Sequence, residues 1–345
     1  MRTDIAVAWN GLPAYAARLI RAAQDDVGSF PVLGTRPTVP IEGMEAILGQ
    51  SIHWLDADSS PTWKSLGLPV PKIYFQTGWG HSPLNALGAE VRNAGGQVIG
   101  MVDSFWNGSL RQIGALLLFR LKYRKWYSAL MVPGRRSRRF CRALGMPVSR
   151  IYTGMYGADS ELFNCQQPLS QRTKRFLFVG QLIDRKGVLE LAEAYSALGG
   201  LSSGWTLTIV GEGPLRAKLE QFGDIDLRSF TQPDSVAELL SDTRCLVLPS
   251  KFERWGLVVH EAALAGCQLI LTEAVGSWPD LLRSGENGYL CHSGSLSELK
   301  GALTYMMNRK DCAGQQATAV SKQLASQFGP RVWSTTMQDI LTAES

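Results

Sequence analysis

Within residues 249–266 (PSKFERWGLVVHEAALAG) two glutamates, Glu253 and Glu261, stand eight positions apart. An ionised carboxylate accepts hydrogen bonds and donates none, so a pair at fixed separation suits the hydroxyls of a sugar or a ribose. The first acid lies in a turn-like segment with Trp255 and Gly256. The second sits in an apolar run (Leu257, Val258, Val259, Ala262, Ala263, Leu264) whose pattern predicts a buried helix. As isolated acids, the two are equally compatible with a solvated helix start.

The element upstream gives the pair a setting. Residues 245–248 form a short apolar run that predicts a buried strand ending at Pro249. Strand, loop and helix in that order carry the loop to the carboxyl edge of a parallel sheet, where open α/β proteins bind ligands. A helix starting near Gly256 turns its free N–H groups and positive dipole end to the same edge, which suits a phosphate.

The segment resembles the E-x7-E signature of the family 4 retaining glycosyltransferases (glycosyl transferases group 1). Gly256, Leu257, the Glu261-Ala262 pair and Gly266 agree with it as well. The resemblance implies an α/β fold of GT-B architecture, two Rossmann-like doubly wound domains facing a central cleft. It also implies that Glu253 contacts the donor sugar and Glu261 the ribose of the nucleotide. Gly180-Gln181-Leu182 followed by Arg185-Lys186-Gly187 is similar to the family's G-R-L…K-G phosphate clamp. Lys186 matches the clamp's lysine, while Gln181 stands where arginine is usual. A neutral amide cannot neutralise a diphosphate, so either Arg185 compensates or the leaving group is held more weakly. Thr231 and Gln232, after a strand expected over 228–230, fall where relatives meet the base. Asn10 and Gly11 follow a first strand over 5–9, where relatives touch the donor phosphate or the acceptor. A tight strand-to-helix turn explains Gly11 equally well. Specific motifs span nearly all of 160–330; before that the likeness is one of architecture and a few positions.

Two features depart from this pattern. Many relatives carry a histidine, set to contact the donor sugar, where this chain has Asp103 after a strand over 98–102. Asp103 is therefore the catalytic candidate of the first domain. His81, one strand earlier, is the other candidate of suitable chemistry, or a structural histidine in a Gly-rich loop. Asp56-Ala57-Asp58 and Asp224-Ile225-Asp226 have the D-x-D form that holds a divalent cation on the diphosphate in the other large glycosyltransferase fold. Neither has the long strand context such a site needs. Both are assigned to loops, and no metal or other cofactor is expected.

At 345 residues the chain suits two domains, each able to bury its own core. Hydrophobic content of 45% with 19% charged residues excludes a disordered chain. The expected division is a first domain over 1–163, a polar linker over 164–174 and a nucleotide-sugar-binding domain over 175–328. A last helix over about 329–345 is expected to pack back on the first. The N-terminus lacks the apolar core of a secretory signal, and no apolar run approaches the ~20 residues of a membrane span. The six cysteines form no CxxC pair and read as reduced, packed side chains. A cytoplasmic location is expected.

Charge is unevenly spread. Residues 1–160 hold 18 Lys and Arg against 10 Asp and Glu, and the remainder 17 against 20. Between Asp103 and Asp159 there are eleven cations and no acid. Such a block suggests an anionic partner, and its place in the acceptor-side domain suggests a lipid-linked saccharide at an anionic membrane surface rather than nucleic acid. Pairing of these arginines with acids of the second domain is the alternative. Over 113–126 a helix is expected, with Leu116, Phe119, Tyr123 and Trp126 as a core stripe, or with the three aromatics as shallow membrane anchors.

The expected function is a retaining transfer of sugar from a nucleotide-sugar to a saccharide acceptor, in cell-surface polysaccharide or glycolipid synthesis. A GT-B nucleotide-sugar epimerase and a non-catalytic two-domain binding protein are the alternatives.

Overall fold

A computed structural model describes residues 2–37, 43–56 and 58–343. The chain divides into unit 1, Met1–Gly157 with Phe328–Ser345, and unit 2, Ala158–Gln327.

Among the described residues of unit 1, seven parallel strands run in the order β3-β2-β1-β4-β5-β6-β7. They are β1 (Ile5–Trp9), β2 (Val32–Gly34), β3 (His53–Trp54), β4 (Ile73–Thr77), β5 (Gln97–Met101), β6 (Ala129–Val132) and β7 (Ile151–Thr153). Helices α1 (Ala14–Val27), α2 (Met44–Leu48), α3 (Ser82–Asn93), α4 (Leu110–Leu118) and α5 (Arg135–Ala143) connect them. Strand β1 shows why the sheet is covered on both faces. Its residues are all buried; Ile5, Val7 and Trp9 enter one apolar layer with α1, while Ala6 and Ala8 enter the other. The terminal helix α13 (Pro330–Ala343) completes the first layer with Trp333, Met337 and Ile340. Thr336 Oγ1 ties it to the Thr153 carbonyl at 3.0 Å.

Unit 2 repeats the plan with six parallel strands among the described residues, in the order β10-β9-β8-β11-β12-β13. These are β8 (Thr173–Val179), β9 (Thr206–Val210), β10 (Ile225–Arg228), β11 (Thr243–Leu248), β12 (Gln268–Thr272) and β13 (Gly288–Cys291). The helices are α6 (Val188–Ser196), α7 (Arg216–Leu219), α8 (Pro233–Ser241), α9 (Leu257–Leu264), α10 (Trp278–Leu281), α11 (Leu296–Met307) and α12 (Asp311–Ala325). In each sheet the winding reverses once. β8 is flanked by β9 on one side and β11 on the other, and β1 by β2 and β4. These reversals are the topological switch points at which such sheets bind ligands.

Several expectations need correction. The strand expected over 228–230 lies at Ile225–Arg228, so Asp226 is a strand residue rather than part of a loop. Its carboxylate pairs with Arg228 at 2.7 Å and accepts from Thr208 Oγ1, while Asp224 accepts from Ser196. The helix expected over 113–126 is α4 from Leu110, continued by a π turn over Phe119–Tyr123. Residues 164–174 do not form a free linker: Arg172 is buried within unit 2. Its guanidinium donates to the carbonyls of Gln167 (3.0 Å), Thr243 (3.3 Å) and Ala265 (2.8 Å). Ala265 caps the carboxyl end of α9, where a cation also meets the negative end of the helix dipole.

Arg172→Met keeps the apolar stem but removes the guanidinium bonds, leaving the Thr243 carbonyl with the weaker Cys267 Sγ donor at 3.4 Å. Unsatisfied buried groups cost about 1–3 kcal/mol each, so the variant should lose at least ~2 kcal/mol in urea unfolding. Unchanged stability would show that solvent reaches these carbonyls in the native state.

Candidate active site

The candidate residues of unit 2 sit on the loops leaving the carboxyl ends of β8 and β11 and on α9, with Thr231 after β10. After β8, the Gly180 N–H bonds to the Val210 carbonyl at 3.0 Å, and buried Leu182 bonds to that of Glu212 at 2.8 Å. The chain then makes one tight turn, Asp184–Lys186, ended by Gly187 in the left-handed region at φ 67°. A Cβ on Gly187 would lie 2.2 Å from the Pro249 carbonyl oxygen. Only glycine lets the β8 loop cross so closely over the end of β11.

That crossing is stitched by charge. Lys251 N–H bonds to the Arg185 carbonyl at 2.8 Å, and its ammonium reaches Asp184 and Glu190, both at 2.7 Å. Arg185 donates to the Phe252 carbonyl at 2.6 Å. Lys186 ion-pairs with Glu253, and Arg185 Nη1 lies 3.6 Å from the same carboxylate oxygen. The Glu253 backbone is held in turn by the β12 loop, through Ala274 O at 3.0 Å and Gly276 N–H at 2.8 Å. Gly276 has no room for a side chain, since a Cβ would fall 1.8 Å from Arg254 O. The side chains of Lys186 and Glu253 keep 14% and 15% exposure, so a ligand can reach charges that water screens only in part.

Gly256 is the N-cap of α9, Leu257 its first residue, and Glu261 stands one turn further on the same face as Leu257. Glu261 keeps a partly exposed edge, but its packed surroundings push the carboxyl up from 4.5 to about 7 by desolvation. Its neighbour His260 behaves differently. His260 is fully buried, accepts from the Ala158 N–H at 2.8 Å through Nδ1, and places Nε2 2.9 Å from the Ala325 carbonyl. A neutral ring protonated at Nε2 serves both partners, and burial holds its pKa down at about 4. It is a structural staple.

Gly180, Arg185, Lys186, Glu253, Gly256, Leu257 and Glu261 thus stand on loops and a helix start at one switch point. Gln181 is beside them in sequence but exposed, and its carbonyl accepts from the Ile183 N–H at 3.0 Å. Thr231 lines a polar cavity of about 530 Å³ with Arg228, Ser235 and Glu238. The charges of Lys251, Asp184 and Glu190 are visible in the sequence, but the crossing that joins them as supports is not. Among the described residues no group of three or more His, Cys, Asp or Glu side chains converges as a metal site.

In unit 1, the Asn10 N–H bonds to Thr77 Oγ1 and the Gly11 N–H to Thr35 Oγ1, both at 2.7 Å. The loop after β1 is therefore laced to the ends of β2 and β4. Asp103 follows β5 and accepts from the Tyr156 hydroxyl at 3.0 Å. Tyr156 packs against Trp9 and Tyr15. His81 stands at the position just before α3.

Residues 173–309 match the model of the family described as glycosyl transferases group 1. Glycogen synthase of Mycobacterium tuberculosis is 31% identical over 159 residues, 44% of this chain and 38% of that protein. D-inositol 3-phosphate glycosyltransferase of Streptomyces coelicolor is 28% identical over 180 residues, 51% of this chain and 38% of that protein. The chain spans well under half the length of these relatives. HepE of Anabaena, solved with UDP and glucose, is similar with a TM-score of 0.76 over 99% of this chain and 100% of that one, at 15% identity. Two parallel sheets with alternating helices, shared with such neighbours, define a GT-B fold. The group 1 glycosyltransferase similarity lies in unit 2.

The state of Glu261 has a thermodynamic consequence. Because its carboxyl is raised in the fold, the native state binds its proton more tightly than the unfolded chain does. Stability is therefore lost as pH rises from about 4.5 to 7. Glu261→Gln should be more stable than the wild type by about 1–3 kcal/mol at pH 8, with the gap closing toward pH 4.5. Urea unfolding at both pH values measures it. Equal stability at pH 8 would mean that the carboxylate is solvated.

Proposed function

We propose that this chain is a retaining glycosyltransferase of family 4 that moves a sugar, a hexose in the simplest case, from a nucleotide-sugar to a saccharide acceptor. The observation that carries the reading is the meeting of Lys186 and Arg185 with Glu253 at the β8/β11 switch point, with Glu261 on the adjoining helix. A departing nucleoside diphosphate develops negative charge as the glycosidic bond breaks. Preorganised donors aimed at that charge lower the barrier most. Lys186 has three donors, enough to serve the Glu253 carboxylate and a phosphate oxygen together. Arg185 adds a second cation, and the open N–H groups at the start of α9 a third source of positive potential. Glu253 orients the sugar hydroxyls, and Glu261 accepts from the ribose. Retention follows if the leaving phosphate takes the acceptor's proton on the face it departs from. Asp103, positioned by Tyr156, is the carboxylate we assign to the acceptor side. UDP, the nucleotide solved with HepE, is the first donor base to test. A lipid-linked saccharide acceptor, as in cell-surface polysaccharide synthesis, accords with the cationic block of unit 1.

Isothermal calorimetry with nucleoside diphosphates separates the two glutamates. A hydrogen bond to a charged group is worth about 1.5–3 kcal/mol, so at pH 8, where the Glu261 carboxyl is ionised, Glu261→Gln should weaken binding of the free nucleotide roughly 10- to 150-fold. Glu253→Gln should spare the free nucleotide and depress turnover of the nucleotide-sugar. Unaltered nucleotide affinity in Glu261→Gln would remove the ribose role.

The charge clamp is built of side chains, so sugar transfer should persist in excess EDTA. The double variant Asp56→Asn/Asp58→Asn should keep near wild-type turnover. Loss in EDTA that Mn²⁺ or Mg²⁺ restores would replace the clamp with a metal site. A product formed without any acceptor would point to an epimerase instead.

A further inference from the structure

Helix α4 and the π turn that follows it are apolar on both sides, and only one side is covered. Phe119 is buried and stacked on Tyr127, while Leu116, Tyr123 and Trp126 are partly buried against the same layer of unit 1. The aromatics are therefore structural and do not serve as membrane anchors. The opposite face carries Leu110, Ile113, Leu117, Leu118 and Leu121 at positions i, i+3, i+7, i+8 and i+11. They are 84, 46, 55, 50 and 85% exposed, and Trp106, just before the helix, 45%. A surface helix ordinarily turns polar side chains outward, and a contiguous apolar ridge of this kind marks an interaction surface.

The surroundings of the ridge identify its partner. Arg120, Lys122, Arg124 and Lys125 are exposed along the π turn and beyond it, and no acidic residue occurs between Asp103 and Asp159. Arg120 is steadied by a hydrogen bond to the Ala143 carbonyl at 2.8 Å. A second copy laid on the ridge would bring two cationic rims together. An anionic bilayer instead takes leucines into its acyl boundary and the cations onto its phosphates. Among the described residues no helix is long and apolar enough to cross a membrane, so the element would lie in the plane of the surface.

We propose that α4 and its π turn form an in-plane membrane-docking element, with the leucine ridge inserted at the acyl boundary and Arg120, Lys122, Arg124 and Lys125 on lipid phosphates. Charge collects the protein at the surface, and the ridge holds it there. This goes beyond the transferase reading and stands without it.

Vesicle flotation of the full chain tests the proposal. Phosphatidylcholine vesicles are compared with vesicles carrying about three parts in ten phosphatidylglycerol, at low and high salt. The wild type should bind the anionic vesicles at least about tenfold better, and less as salt rises. Each cation near the surface contributes roughly fivefold, so Lys122→Gln/Arg124→Gln/Lys125→Gln should lose on the order of a hundredfold. Leu117→Ser/Leu121→Ser should lose at least about tenfold, with circular dichroism and Tm unchanged because both leucines are exposed. Equal binding to both vesicle types, or none, would overturn the proposal. Full binding by the double serine variant would overturn insertion. A dimer in sedimentation equilibrium that the serine variant dissolves, without vesicle binding, would assign the ridge to a second copy.

Discussion

The Glu253 carboxylate and the Lys186 ammonium come from residues 67 positions apart, and their meeting sets the terms for the surrounding loops of unit 2. Partial burial makes the pair strong, and it also makes either charge expensive if its partner is lost. The loops are accordingly fixed by backbone rather than by side-chain packing. The β8 loop lies against Pro249 because residue 187 has no Cβ, and the β12 loop lies against Arg254 because residue 276 has none. Lys251 then pins the two sides with Asp184 and Glu190. The Lys186–Glu253 pair thus sits in a frame whose backbone is already ordered.

The parts of this frame that rest on local pattern were legible in the sequence. β1, β4, β9 and β12 lie where apolar runs placed them, because a strand buried on both faces is apolar throughout. The two glutamates and the glycines around them were legible as a spacing on a strand–loop–helix unit. What escaped depends on neighbours distant in the chain. β10 is an edge strand whose Asp226 and Arg228 alternate with Ile225 and Leu227, and only its last residue falls within the strand expected at 228–230. Residues 164–174 are polar, which suggested a linker. Arg172 is there to satisfy the carbonyls of Thr243 and Ala265, which no local pattern can announce. His260 is silent for the same reason, since its partners are the backbones of Ala158 and Ala325.

His260 and Glu261 are adjacent on one helix, and burial moves their pKa values in opposite directions. His260 has both nitrogens paired, and its neutral state is the stable one near neutrality. Its burial costs little once those bonds form. Glu261 is pushed the other way, toward protonation at a pH where an exposed glutamate is ionised. A helix position that tolerates such a carboxyl gives up stability that glutamine would return.

The same logic distinguishes α9 from α4. Both helices are apolar around most of their circumference, a composition that in a soluble fold signals complete burial. α9 meets that expectation: it lies beside β11 and β12 with Val259, Ala262 and Ala263 fully buried. α4 does not. It closes unit 1 with one face only, and the leucines on the other face remain in solvent. Burial of a leucine is worth about 1.5–3 kcal/mol, so folding leaves several kcal/mol unrealised along that ridge. A helix that was merely an outer layer would be stabilised and solubilised by polar residues at those five positions, and helix propensity would not object. The leucines therefore have no purpose within the fold of unit 1. Their purpose lies with whatever removes them from water, and the cations beside them set its charge.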